Sequence, residues 1–265
     1  MSRLLCLFLL RSFLLSLSFS SIAAPKADLW DIWDSSNEQN TQSIDHSDWQ
    51  TILDRHLVQS DQNTLFSYSS FTKSDKQLLT GYLQTLSQLD PRQFNRAEQF
   101  AYWVNLYNAL TVQLIIEHYP IQSITKLGGI FSFGPWDDKL IHINQQALSL
   151  NNIEHRILRP IWRDKRIHYA VNCASLGCPN LQPHAFTSSN SEQLLTQAEY
   201  QFLHSDKGVK IDAQQLQLSS IFKWYAEDFG GEQQLLNYLT QFHPEIAKSN
   251  KKPSYDYDWA LNQTE

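Results

Sequence analysis

The stretch "FNRAEQFAYWVNLYNALTVQLIIEHYP", residues 94–120, decides the fold. It predicts a helix from about Asn95 to Tyr119, stopped by Pro120. Between Phe100 and Ile116 it is apolar on nearly every side, the signature of a central helix packed all round rather than one lying on a surface. Asn105 and Asn108 interrupt that apolar surface three residues apart, hence on one helical face. A buried amide needs partners for both its N–H and its carbonyl groups, so the pair demands a polar network. They either tie loops to the core or polarise a substrate carbonyl, as amides do in oxyanion sites.

Further helices flank this one. "DWQTILDRHLV" (48–58) is short and amphipathic. "DKQLLTGYLQTLSQL" (75–89) places Leu78, Leu79, Tyr82, Leu83 and Leu86 at helical spacing, with Ser74 as cap and Asp90-Pro91 as stop. "NNIEHRILRPIW" (151–162) carries the apolar stripe Ile153, Ile157, Ile161. There Asn151 and Glu154 fit a capping box, and Pro160 is expected to end or kink the helix. "SEQLLTQAEYQFLHS" (191–205) and "EQQLLNYLTQF" (232–242) are the last long helical patterns. Hairpins are expected in 128–150, around "LIHI" and "NQQ", and around Ala213 and Gln214, followed by a helix starting at Ser219 and stopped by glycine. "RIHYAV" (166–171) reads as a strand. Helices dominate and strands pair locally, so the class is α+β: a mostly helical single domain with a long buried central helix and short β-hairpins.

The first residues, "MSRLLCLFLLRSFLLSLSFSSIAAPKADLW", combine Arg3 and Arg11, an apolar run and a small-residue stretch, which is the pattern of an export signal cleaved after Ala23. Arg11 breaks the apolar run well short of the ~20 residues a membrane span needs. Residues 24–45 are polar and aperiodic, expected as a flexible lead-in to a single domain over 46–265. The chain has 21 basic and 27 acidic residues. Cleavage would remove two arginines, leaving 19 basic residues. That balance is no electrostatic match for nucleic acid or an anionic membrane, and with the short apolar run removed no stable membrane insertion is expected. The expected location is exported, periplasmic or extracellular, with an unknown substrate or envelope partner. No phosphate-cradling G-x-x-x-x-G-K-[ST] and no G-x-G-x-x-G is present, so no cofactor is expected.

Of three cysteines the leader takes Cys6, leaving Cys173 and Cys178 in "RIHYAVNCASLGCPN" (166–180). Three readings stay open. A disulfide suits an oxidising compartment, and Gly177 and Pro179 make the necessary turn credible. A thiol nucleophile at Cys173 needs a base. His168 lies about 16 Å away on an extended strand of ~3.3 Å per residue. His155 is therefore the better base, with Glu154 or Asn172 to orient it. A metal site would use His168, Cys173, Cys178 and His184, but H-x4-C-x4-C-x5-H is not a zinc spacing, so none is assigned.

The blocks "FAYWVNLYNALTVQLIIEHYPIQSI", "PWDDKLIHINQQALSLNNIEHRILRPIW", "RIHYAVNCASLGCPNL", "AFTSSNSEQLLTQAEYQFL" and "LSSIFKWYAEDFGG", in this order, resemble the domain of unknown function 547 family. "YDYDWALN" resembles its ending, which implies that Trp259 belongs to the fold. The resemblance covers about residues 90–262. It implies a polar motif set of Asn105, Asn108, Glu154, His155, Arg159, His168, Cys173, Ser175 and Cys178, without His184. Two functions are expected from these residues. One is a thiol-dependent hydrolase or acyltransferase on a peptide or cell-envelope substrate, with Cys173, His155 and Glu154 catalytic. The other is a non-catalytic envelope binding or scaffold domain with a structural or redox Cys173–Cys178 disulfide.

Overall fold

The computed structural model describes residues 25–129, 133–212 and 214–264. The expected leader lies outside the described residues, as does Ala213. The order begins α1 Ser47–His56, β1 Leu57–Ser60, β2 Asn63–Phe66, α2 Lys73–Gln88 and α3 Arg96–His118. It continues through β3 Ile141–Ile143, β4 Gln146–Leu148, α4 Leu150–Ile153, a π-helical turn Glu154–Leu158, α5 Arg159–Trp162, α6 Ile167–Ala170 and α7 Ser191–Leu203. It ends with β5 Val209–Ile211, β6 Leu216–Ser219, α8 Ile221–Trp224, α9 Glu232–Thr240 and β7 Ser254–Asp256.

The central helix forms as its pattern requires. Asn95 caps α3 by accepting from Glu98 N at 3.0 Å, and Phe100 to Val112 are buried without a break. α2, α4 and its π turn, and α7 pack around it. Asp75 and Thr72 close a capping box at the start of α2, so Thr72 rather than Ser74 is its cap. The α2 face Leu79, Tyr82, Leu83, Leu86 is buried at the 3.6-residue period. β1–β2 and β3–β4 are antiparallel hairpins, and Asn144 and Gln145 both take positive φ at the β3–β4 turn. β5 pairs with β6 as a hairpin, and β7 adds to β6 in parallel. A second apolar cluster forms here, around Phe202, Leu218, Phe222 and Leu239.

Four local expectations are corrected. Residues 25–45 are not a loose lead-in: Trp33 is 1% exposed and stacks edge-on against Trp103 of α3. Ile44 is buried beside them, and its N–H donates to Glu98 at 3.1 Å. "RIHYAV" is a helical turn, α6, and not a strand. Glu154 does not cap its helix; Ser149 does, in a reciprocal box with Asn152. Pro160 does not stop that helix either, which runs to Trp162 and ends at Arg163 in the left-handed region. Instead the turn before it widens, with Arg159 N–H reaching back to the Glu154 carbonyl. Pro160 has no N–H to offer, and the carbonyls of His155 and Arg156 accept instead from Asp28 N and Trp30 N, both at 3.0 Å. The segment 25–33 is thus strapped to the widened turn.

Candidate functional site

The sequence of 172–178 makes a tight loop. Asn172 closes it with both ends of its amide, Oδ1 accepting from Ala174 N and Nδ2 donating to Pro179 O, each at 2.8 Å. Ala174 sits at φ +59° inside it. Cys178 N–H returns to Ser175 O at 3.1 Å, and this turn brings the Cys173 and Cys178 sulfurs to 2.13 Å, bonding distance, with Cα atoms 6.2 Å apart. Gly177 is required by close approach: a Cβ there would stand 2.8 Å from Asp258 N and 2.9 Å from Asp258 O. Leu176 N–H and Gly177 N–H pair with Ala260 O and Asp258 O, so the closing "YDYDWALN" segment is part of the fold.

The amides of α3 hold loops. Asn108 donates to Ala170 O at 3.0 Å and accepts from Asn172 N at 2.8 Å, gripping the backbone on its way into the cysteine loop. Asn105 does the same to Phe186, donating to its O at 2.8 Å and accepting from its N at 3.0 Å. Their hydrogen-bonding groups are thereby committed to backbone, and neither lines the cleft described next.

A cleft of about 640 Å³ opens where the two apolar clusters meet. Glu154, His155, His168, Cys173 and Cys178 all line it, together with Phe133, Trp136, Trp224, Tyr225, Tyr257 and Trp259. Trp259 joins the aromatic wall, 4.5 Å from Tyr257, 5.6 Å from Trp224 and 5.2 Å from Phe133 between centroids. A second pocket, of about 440 Å³ near α9, includes Lys165, Glu199 and Tyr238 and none of the candidate residues.

Glu154, His155 and His168 of the cleft lining join Arg159 and Asp228 behind them in one polar cluster, the cleft's polar floor. Arg159 holds Asp228 through two bonds, Nε–Oδ2 2.6 Å and Nη2–Oδ1 3.0 Å, and stacks over Tyr225. His168 Nε2 lies 2.7 Å from Asp228 Oδ2, and its Nδ1 faces Glu154 Oε1 at 3.6 Å. A carboxylate only accepts, so that Nε2 carries a proton. The strand geometry that separated His168 from the rest is therefore overturned by the α6 turn, which aims it into this cluster. Burial opposes the charge of Glu154, yet His155, His168 and Arg159 outweigh it and hold the carboxyl down at about 2. Burial likewise opposes the Asp228 charge, and His168 and Arg159 push its pKa below the ordinary carboxylate range.

His155, the expected base, is engaged by Arg159. Its Nδ1 lies 3.0 Å from Arg159 Nη1, and a guanidinium can only donate. Burial pushes its pKa below the ordinary value, against the pull of Glu154 and with the push of Arg159 and His168. The neutral ring therefore keeps its lone pair on Nδ1 and its proton on Nε2. On this cleft His155 is a hydrogen-bond donor. The Cys173 sulfur makes its contacts elsewhere, with Tyr257 Oη at 3.0 Å and Ser175 Oγ at 3.3 Å.

Asp228, Tyr225 and Tyr257 were not singled out from sequence. The signal available was "WYAEDF", two adjacent carboxylates among aromatics before Gly230 and Gly231, and it names no partner. His184 is exposed, and among the described residues no group of three or more His, Cys, Asp or Glu is arranged to hold a metal. No described helix is long and apolar enough to cross a membrane.

Residues 91–203 match the family described as "Protein of unknown function, DUF547". The chain thus resembles that family over the segment running from α3 through the polar floor and cysteine loop to α7. Asp228, Tyr257 and Trp259 lie beyond the match. No curated protein and no solved structure matches the chain.

Proposed function

We propose that the protein is an exported binding domain that takes a peptide or other cell-envelope ligand in the aromatic cleft, with a Cys173–Cys178 disulfide as part of its wall. One observation carries this reading: two sulfurs at bonding distance line an aromatic cleft, and the nearby histidine presents a donor rather than a base. The export pattern of residues 1–23 agrees with a disulfide, which persists in oxidising compartments. Aromatic faces and a few fixed donors are what a ligand cleft of this size uses for affinity and orientation.

Cys173 is the more exposed of the two cysteines, and that favours a second reading, a thiol-dependent hydrolase or acyltransferase. There the reduced Cys173 thiolate would attack an acyl carbon and His155 Nε2–H would hold the developing oxyanion. Thiol counting by intact mass, before and after reduction, separates the two. The binding reading expects no alkylation of Cys173 before reduction, and quenching of tryptophan fluorescence by envelope-derived peptides. A freely alkylated Cys173, with acyl transfer lost in Cys173→Ala, would replace it with the second.

A further inference from the structure

The two sulfurs are unequal. Cys173 is half-buried at the cleft, whereas Cys178 is 2% exposed. Tyr257 Oη and Ser175 Oγ reach both sulfurs, at 3.0 and 3.3 Å from Cys173 and 3.1 and 3.4 Å from Cys178, but Cys178 has in addition the backbone N–H of Cys173 at 2.9 Å. That extra N–H would stabilise negative charge on Cys178 over Cys173, and in thiol–disulfide exchange the better leaving sulfur is the one whose thiolate is stabilised. A cross-link with a purely structural task would be poorly placed here. So short a ring removes little freedom from the unfolded chain. Asn172, Asn108 and the pairings of Leu176 and Gly177 already hold the loop without it. The same bonds would keep the two sulfurs together after reduction, ready to close again.

We propose that the cleft performs thiol–disulfide exchange on cysteine-bearing peptides, with Cys173 as the sulfur attacked and Cys178 as the leaving group. This rests on the reading that the pair is a disulfide and that the cleft takes a peptide. A thiolate of the bound peptide attacks Cys173 Sγ. The Cys173–Cys178 bond breaks, its electron pair goes to Cys178 Sγ, and a mixed disulfide joins the peptide to Cys173. A second thiolate of the same peptide attacks its own half of that mixed disulfide and expels Cys173 as thiolate. The peptide dithiol loses two electrons and two protons and becomes a disulfide; the cysteine pair gains them and becomes a dithiol. Tyr257 and Ser175, within reach of both sulfurs, are positioning residues for the exchanging pair.

The test uses the oxidised full chain and a synthetic peptide with two cysteines flanked by aromatic residues, alongside reduced glutathione. The expected result is one peptide disulfide formed per protein. In the reverse direction, Cys178→Ala offered the oxidised peptide should trap a mixed disulfide on Cys173, its thiolate breaking the peptide's own S–S bond, and Cys173→Ala should trap far less on Cys178. Tyr257→Phe, which keeps the aromatic wall, should slow exchange about tenfold and raise the Cys178 thiol pKa in the reduced protein. Wild-type exchange and Tyr257→Phe remain informative if Cys178→Ala does not fold. A peptide that quenches tryptophan fluorescence yet stays reduced would overturn the exchange and leave ligand binding standing. Neither quenching nor exchange would overturn both. A mixed disulfide on Cys178 would overturn the assigned polarity.

Discussion

Arg159 determines which nitrogen of His155 carries the proton, and with it what the cleft floor offers a ligand. Arg159→Met should free Nδ1, allow the other tautomer and raise the His155 pKa, read from ring-nitrogen NMR shifts across pH. It also strips partners from buried Glu154 and half-buried Asp228, so a stability loss of roughly 2–4 kcal/mol is expected. An unchanged His155 titration would show that Arg159 does not set the tautomer. The buried histidines also give the fold a pH dependence. Burial pushes His46 down to about 4 against the pull of Glu98 and Asp45, and His155 below its ordinary value. Such groups stay neutral in the fold while the unfolded chain takes up protons. Their stabilisation is full above about pH 6.5 and is lost as the pH falls, for His46 by about 4, on the order of 3 kcal/mol. Glu154 adds a further loss between its ordinary 4.5 and about 2. Urea midpoints should fall from pH 6.5 to 4, and His46→Phe should flatten that slope; a flat wild-type profile would contradict it. The sequence displayed Glu154, His155, Arg159 and His168 as a polar set. It could not display Asp228, because a salt bridge across sixty-nine residues leaves no local pattern.

At the scale of elements, periodicity made α3, α2, α7 and the β3–β4 and β5–β6 hairpins legible, because each shows enough turns or alternations to define a period, whereas the β1–β2 hairpin was not expected. A single turn such as α6 shows none: apolar Ile167 and Tyr169 around His168 mimic a strand. The segment 25–45 was misread for a related reason. Polar and aperiodic, it holds itself by Trp33 against Trp103 and by backbone bonds to the widened turn, which are tertiary facts. Trp33→Ala should therefore cost about 3–5 kcal/mol in denaturant unfolding. A mobile lead-in would change by less than about 0.5 kcal/mol. Gly177→Ala should push the Asp258 backbone away from the cysteine loop, seen as faster amide exchange at Gly177, without melting α3. Protection as slow as in the unsubstituted chain would refute that close approach.

For the whole molecule, the fold class follows from one buried helix and local strand pairs, whereas the cleft is assembled from parts that sequence cannot align. The Cys173–Cys178 link closes a very short loop, so reduction should lower stability by only about 2 kcal/mol and leave the near-ultraviolet signal of the α3 core in place. Collapse of that signal on reduction would mean the loop bonds described above do not hold unaided.

The strap at 25–33 and the closing segment 254–262 reach the same cleft from opposite ends of the described chain. Contacts of such long sequence separation form late, after the local helices. The order of assembly is thus written into the cleft: a chain emerging in sequence from a ribosome or a membrane channel can bury α3 early, but holds no complete site until Tyr257 and Trp259 arrive. A nascent or truncated protein would then be compact and inert at once.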